Sequence, residues 1–92
     1  MAIQAANQEP TVFIVDDDDA VRESLAFLMK SIGQKAESFP NAQAFLDAWN
    51  TNRAGCLVLD IRMPGMSGLE LQDKLKDMGS ILPIIFITGH GD

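Results

Sequence analysis

One stretch limits the possible fold more than any other: residues 57–68 read LVLDIRMPGMSG. Its apolar start is typical of a buried strand in a parallel sheet, and it ends on the carboxylate of Asp60. An unpaired charge is too costly inside a sheet, so Asp60 is expected at the rim. Pro64 cannot continue a strand, and Ser67 with Glu70 forms the capping-box pattern that begins a helix. Asp60 is therefore predicted at the carboxyl end of a strand, where open α/β sheets bind ligands, and is the candidate reactive residue.

Three more strands are predicted. Residues 11–15 and 84–88 are rich in β-branched and aromatic side chains, and residues 34–39 form a weaker strand that Pro40 ends. Strands and helices alternate with short connections, which favours a parallel sheet built by right-handed crossovers. The polar second strand belongs at an edge, so the expected spatial order is 2-1-3-4. The winding direction then reverses between strands one and three, and their carboxyl ends lie side by side.

The spacing of apolar residues predicts three helices. The first is capped by Asp18 or Asp19 and ends at Gly33, the second is capped by Asn41, and the third begins at Gly68. Their apolar faces comprise Val21, Leu25, Leu28 and Ile32 in the first, Ala44, Phe45, Ala48 and Trp49 in the second, and Leu71, Leu75 and Met78 in the third.

Composition narrows the class of protein. The chain has 92 residues, 47% of them hydrophobic, which suits one small domain over residues 11–92 preceded by a flexible polar arm over residues 1–10. A net charge of −6 argues against direct nucleic-acid binding by this segment. The single Cys56 permits no internal disulfide and is expected to be a small buried side chain in a reducing compartment. No apolar run approaches a membrane span and no signal peptide is evident, so a cytoplasmic location is expected.

Acidic side chains follow two of the predicted strands. Asp16 and Asp17 come directly after strand one and Asp60 ends strand three, so the three carboxylates should converge at one edge of the sheet. Such a cluster repels itself unless a cation lies within it, and a site made only of oxygen ligands suits Mg²⁺. A carboxylate beside that metal can attack phosphorus to give an aspartyl phosphate. A hydroxyl at the tip of strand four, Thr88, could hydrogen-bond the phosphoryl oxygens.

These motifs resemble those of the response-regulator receiver domains of two-component signalling. The resemblance covers residues 11–92 and is carried by three segments: VFIVDDD over residues 12–18, LVLDIRMPGMSG over residues 57–68, and IIFITG over residues 84–89. The last residues, 87–92, are similar to the FixJ-like group, whose members carry a LuxR-type helix-turn-helix output domain. The resemblance implies a flavodoxin-like fold of three α/β/α layers.

The resemblance also implies roles for individual residues. Asp60 would be the phosphoacceptor in a Mg²⁺-dependent phosphoryl transfer from a sensor histidine kinase, or from a small donor such as acetyl phosphate. Asp17, Asp60 and the backbone carbonyl of Arg62 would bind Mg²⁺, and Asp16 would act mainly through a metal-bound water. Thr88 would be the switch hydroxyl. The domain would phosphorylate and dephosphorylate itself as a signalling module that controls transcription, without being a turnover enzyme.

The end of the sequence adds a further expectation. Receiver domains continue through a fourth helix, a fifth strand and a fifth helix, and the chain as given ends at Asp92 before them. The absent strand carries the family's active-site lysine and the aromatic partner of Thr88. Without these elements strand four would be an exposed apolar edge, and a dimer or strand-exchanged oligomer becomes a hypothesis.

Two alternatives stay open at this point. A receiver-like fragment that is not phosphorylated, and acts only as an interaction or oligomerisation module, predicts no Mg²⁺-dependent change. A haloacid-dehalogenase-type phosphatase is less favoured. Residues 17–21 fit its D-x-D-x-[TV] pattern, but Asp16 interrupts the expected apolar run and the length leaves no room for a cap domain.

Overall fold

The computed structural model describes residues 9–88. Four strands and three helices alternate along this part of the chain: β1 (Thr11–Val15), α1 (Asp19–Ser31), β2 (Ala36–Phe39), α2 (Ala42–Ala48), β3 (Gly55–Asp60), α3 (Gly68–Asp77) and β4 (Ile84–Ile87). The predicted elements are all present. The predicted second strand begins two residues later than expected, and Thr88 follows the last strand instead of ending it.

The four strands form one parallel sheet in the order β2-β1-β3-β4, as predicted. Val15 pairs in register with Phe39 on one side and Leu59 on the other. Asp60 pairs with Ile87 of β4. This register aligns the carboxyl ends of the strands along one edge of the sheet, with β1 and β3 at its centre.

The main core lies on one face of the sheet, under α2 and α3. Phe13 and Leu57 on the sheet are fully buried, as are Phe45 of α2 and Leu71 of α3. The rings of Phe13 and Phe45 meet edge to face with their centroids 5.5 Å apart, an arrangement that aromatic pairs favour. This packing holds α3, and with it the loop that follows Asp60, against the sheet.

The second face is less completely covered. Ile14 is buried on this face, since side chains alternate along a strand and those of Phe13 and Val15 lie on the other face. The helix α1 packs on β1 and β2. No residue of α1 is fully buried, and two residues of its predicted apolar face are largely uncovered: Leu28 is 51% exposed and Ile32 is 68% exposed. Within residues 9–88 the helix lies mainly over two strands, so the outer part of its apolar stripe has no partner.

Apolar residues elsewhere in the described range are also partly uncovered. Ala48 of α2 is exposed, Met78 follows α3 and is 46% exposed, and Cys56 is half-buried instead of buried. On the sheet, β4 has a strand neighbour on one side only among the described residues, and its Ile85 is 55% exposed. The predicted apolar edge is therefore present in this part of the chain. The dimer or strand-exchanged oligomer remains a prediction.

The helix ends follow the predicted local chemistry. Of the two candidate caps for α1, Asp18 is the one used, and its carboxylate accepts hydrogen bonds from the backbone N–H groups of Ala20 and Val21. Gly33 has φ +76°, the left-handed conformation that ends a helix with least strain in glycine. None of the helices within residues 9–88 is long and apolar enough to cross a bilayer.

Candidate functional site

The sheet brings three carboxylates together at the carboxyl ends of β1 and β3. Asp16, Asp17 and Asp60 each offer one oxygen atom, and these three atoms lie within 4.8 Å of one another. Asp16 is 3% exposed and Asp60 is 1% exposed, whereas Asp17 is exposed. The cluster therefore has a buried floor and one carboxylate that faces solvent.

Short polar contacts hold the loop between β1 and α1. The Asp18 N–H donates a hydrogen bond of 2.8 Å to Oδ1 of Asp16, and the Asp18 side chain in turn caps α1. From the first turn of α1, Nη1 of Arg22 donates to the main-chain carbonyl of Asp16 at 2.6 Å. The second guanidinium nitrogen, Nη2, forms an ion pair with Asp19. Within the acidic run, Asp18 therefore caps α1, whereas Asp16 and Asp17 belong to the carboxylate cluster.

The loop after β3 is held as tightly. The Arg62 N–H donates to Oδ1 of Asp60 at 3.1 Å, which ties the carboxylate to its own loop. Gly68 donates its N–H to the carbonyl of Ile61 at 3.0 Å and begins α3 against the end of β3. The predicted capping box is formed, since Ser67 and Glu70 each accept a hydrogen bond from the other's backbone N–H.

The negative charges of the cluster affect the ionisation of Asp16. Burial raises the pKa of Asp16 above its ordinary value, and the charges of Asp60, Asp17 and Asp18 raise it further, against the opposing hydrogen bond from the Asp18 N–H. A cation among the carboxylates would remove this penalty. Hard carboxylate oxygens without His or Cys in the cluster fit Mg²⁺, which binds to proteins through one or two carboxylates and keeps several waters.

The other two predicted site residues lie at the same edge of the sheet. Arg62 is two residues beyond Asp60 and is exposed. Thr88 directly follows Ile87, the register partner of Asp60, and is exposed. Within the described range its hydroxyl makes no hydrogen bond to another residue.

Two contacts at the site were not predicted from the sequence. The ion pair between Asp19 and Arg22 has a visible signal, because residues three apart on a helix are neighbours. The bond from Arg22 to the Asp16 carbonyl has none, since it depends on the path of the backbone between β1 and α1. No sequence signal shows that residue 68 must be glycine either. A side chain there would collide with the backbone of Asp60.

Comparison with known proteins identifies the family. Residues 12–92 match the family model described as the response regulator receiver domain. The chain is 52% identical over 86 residues to the response regulator protein TmoT of Ectopseudomonas mendocina, covering 94% of this chain and 39% of that protein. It is 53% identical over 81 residues to the transcriptional regulatory protein FixJ of Azorhizobium caulinodans, covering 88% of this chain and 38% of that protein.

A solved structure shows the same fold. The structure of the response regulator StyR superposes with a TM-score of 0.87 and 54% sequence identity, covering 91% of this chain and 42% of that one. The chain thus spans about two-fifths of the length of these relatives. With the family motifs, the flavodoxin-like sheet order and the acidic cluster all present, the chain belongs to the response regulator receiver domain family.

Proposed function

We propose that this receiver domain accepts a phosphoryl group on Asp60 in a Mg²⁺-dependent transfer. The observation that carries the proposal is the cluster of Asp16, Asp17 and Asp60 at the carboxyl ends of the two central strands, with ligand oxygens within 4.8 Å of one another. Carboxylates at this edge of an open α/β sheet are placed to act on a bound ligand. A signalling domain is switched by one modification per chain and does not require repeated turnover.

The chemistry follows from the carboxylate of Asp60. One of its oxygen atoms would form a bond to phosphorus while the bond from phosphorus to the donor breaks, which leaves an acyl phosphate on Asp60. If the donor is a phosphohistidine, the electron pair of the broken bond stays on its nitrogen, and a neutral imidazole leaves because the other ring nitrogen already carries a proton. The Arg62 N–H already donates to Oδ1 of Asp60, so the carboxylate is oriented before the donor arrives. Transfers of this kind depend mostly on positioning and on neutralising charge.

Mg²⁺, when bound, would offset the negative charge of the carboxylates and of the phosphoryl oxygens. Asp17 and Asp60 would hold it directly together with the backbone carbonyl of Arg62, and Asp16 would act mainly through a water. This division agrees with the exposure of the two neighbours, because Asp16 is buried under the site whereas Asp17 faces solvent.

Thr88 is proposed to donate its hydroxyl to a phosphoryl oxygen once Asp60 is modified. Its position directly after the register partner of Asp60 supports this role. A hydroxyl that gains such a partner would change the conformation at the tip of β4, which is a route by which phosphorylation could alter the surface of the domain.

The partners proposed are a sensor histidine kinase as donor and a transcriptional output domain, in the cytoplasm. Relatives bearing the names response regulator and transcriptional regulatory protein support them, and those proteins are more than twice as long as this chain. A LuxR-type DNA-binding domain would lie in the longer protein. The acidic charge of −6 makes this segment itself a poor binder of nucleic acid.

Intact-protein mass spectrometry tests the proposal. The 92-residue chain is incubated with Mg²⁺ and acetyl phosphate, and its mass is compared with that of untreated protein. We expect one added phosphoryl group per chain. The same incubation with a chelator of Mg²⁺ should add none. A phosphatase of the haloacid-dehalogenase type would instead release phosphate continuously from a phosphomonoester, and a pure interaction module would show no change in mass.

Two variants assign the acceptor. Asp60→Asn should abolish the added mass, whereas Asp73→Asn, which alters an exposed carboxylate on α3, should leave it unchanged. Modification that persists in Asp60→Asn would refute Asp60 as the acceptor. No modification of the wild-type chain would favour the interaction module.

A further inference from the structure

The contacts of Arg22 suggest a role in building the acidic site, beyond the roles assigned to the carboxylates. We infer that Arg22 is a positioning residue: it holds the loop between β1 and α1 in the conformation that presents Asp16 and Asp17 to a cation. The inference rests on the proposed function, because that function requires Mg²⁺ at this cluster.

The guanidinium group bridges two parts of the same loop. Nη1 donates to the main-chain carbonyl of Asp16 at 2.6 Å, and Nη2 pairs with the carboxylate of Asp19. Arginine is suited to this task because its donors form a rigid planar fork that can bind two acceptors at once. The bridge therefore joins the end of β1 to the beginning of α1 across residues 16–19.

The Arg22 side chain is largely buried where it contacts the loop. The side chain of Arg22 is only 16% exposed, whereas that of its partner Asp19 is 82% exposed. Asp16 is 3% exposed, so its carbonyl has little access to water and needs a donor from the protein. Removing Arg22 would leave that carbonyl without the guanidinium and free the loop to rearrange.

Few other contacts hold the backbone around Asp16 and Asp17. The Asp16 N–H is bound to the carbonyl of Phe39 at 3.2 Å, and the Asp16 carboxylate to the N–H of Asp18. Within residues 9–88 the Asp17 carboxylate has no hydrogen-bond partner, so its direction depends on the backbone on either side of it. Two side-chain contacts restrain this backbone: the Asp16 carboxylate accepts from the N–H of Asp18, and Arg22 donates to the carbonyl that precedes Asp17.

The charge of Arg22 and its positioning role predict opposite changes in Mg²⁺ affinity when Arg22 is replaced. A guanidinium beside a cation site repels Mg²⁺, so removing its charge should strengthen Mg²⁺ binding if position were unimportant. If Arg22 positions the loop, removing it should weaken binding, because partners that orient metal ligands affect affinity by roughly 10- to 100-fold.

Isothermal titration of the 92-residue chain with Mg²⁺ separates the two cases. We expect Arg22→Gln to raise the Kd for Mg²⁺ about 10-fold and Arg22→Lys to fall between it and the wild type, since lysine keeps the charge but not the fork. The matched control is Lys30→Gln, which removes one positive charge from the exposed last turn of the same helix. It should leave the Kd unchanged or slightly lower.

Two results would overturn the inference. One is Mg²⁺ binding by Arg22→Gln that equals or exceeds that of the wild type. Should thermal unfolding show that Arg22→Gln does not fold, Arg22→Lys decides instead, and a Kd equal to that of the wild type overturns the inference. Absence of Mg²⁺ binding by the wild-type chain is a separate outcome, which would refute the proposed metal site and this inference with it.

Discussion

The close approach of Gly68 to the end of β3 makes Gly68→Ala a sensitive test of how the acidic site is supported. A β-carbon at residue 68 would lie 2.3 Å from the carbonyl oxygen of Asp60 and 3.0 Å from Cα of Ile61. Both neighbours are backbone atoms, so no side-chain rotation can relieve the contact. Either α3 or the loop that carries Asp60 must move.

Two opposing effects set the magnitude. Forcing extra atoms into a packed position costs about 1–3 kcal/mol. Replacing glycine by alanine in a helix contributes up to about 1 kcal/mol in the other direction, and less at the first turn, where Gly68 lies. Because the clash is with backbone, we expect the free energy of unfolding to fall by about 2 kcal/mol. With a urea slope of about 1 kcal/mol per molar, the unfolding midpoint should drop by about 2 M.

Urea unfolding followed by tryptophan fluorescence measures this change. Trp49 is the one tryptophan of the chain, is 6% exposed and stacks on Phe45, so its emission reports the state of the main core. The matched control is Gly79→Ala, after the end of α3, where φ is +77° but a β-carbon would meet nothing within 4 Å. It should show only the cost of a left-handed non-glycine residue, about 1 kcal/mol. A Gly68→Ala protein as stable as the wild type, or more stable, would refute the reasoning.

Two further predictions concern titrating side chains. Because the pKa of Asp16 lies above its ordinary 3.8, its ionisation disfavours folding, and the free energy of unfolding should fall as pH rises from that value through the raised pKa. Asp16→Asn should therefore be more stable than the wild type at pH 7 without Mg²⁺ and gain less from added Mg²⁺; a less stable variant in urea would contradict this. A hydrogen bond from Arg53 holds the pKa of Glu37 below its ordinary 4.5, so that ion pair stabilises the fold above this pH and is lost as pH falls through the lowered pKa. Glu37→Gln should cost under about 1 kcal/mol at pH 7 and nothing in acid below that window, and a loss independent of pH would contradict it.

The comparison of sequence and structure is clearest at the helix ends. Ser67 with Glu70, and Asn41, were predicted as caps and form the expected hydrogen bonds. These contacts join residues three apart, so the local sequence contains all the chemistry they need. The choice between Asp18 and Asp19 could not be made this way, because both carboxylates suit the position and the path of the loop decides between them.

The sequence predicted which apolar residues share a helix face, but not which of them are covered. Phe45 and Leu71 are buried as their spacing indicated, but Leu28 and Ile32 of the first predicted stripe are exposed. Helical spacing shows which residues share a face, whereas burial depends on what lies opposite that face. Within residues 9–88 only two strands lie under most of α1, and no pattern inside the helix records that fact.

The sequence by itself determined the alternation of strands and helices, the sheet order and the edge at which Asp16, Asp17 and Asp60 meet. Periodicity, turn residues and the rules of parallel sheets are enough for that, because a strand-end residue has its place once the strand is identified. Only the tertiary structure decided that Asp16 is buried while its neighbour Asp17 is exposed, and that Arg22 binds the loop. Burial and hydrogen bonding between distant residues depend on how the elements pack, and desolvation follows from that packing, not from residue type.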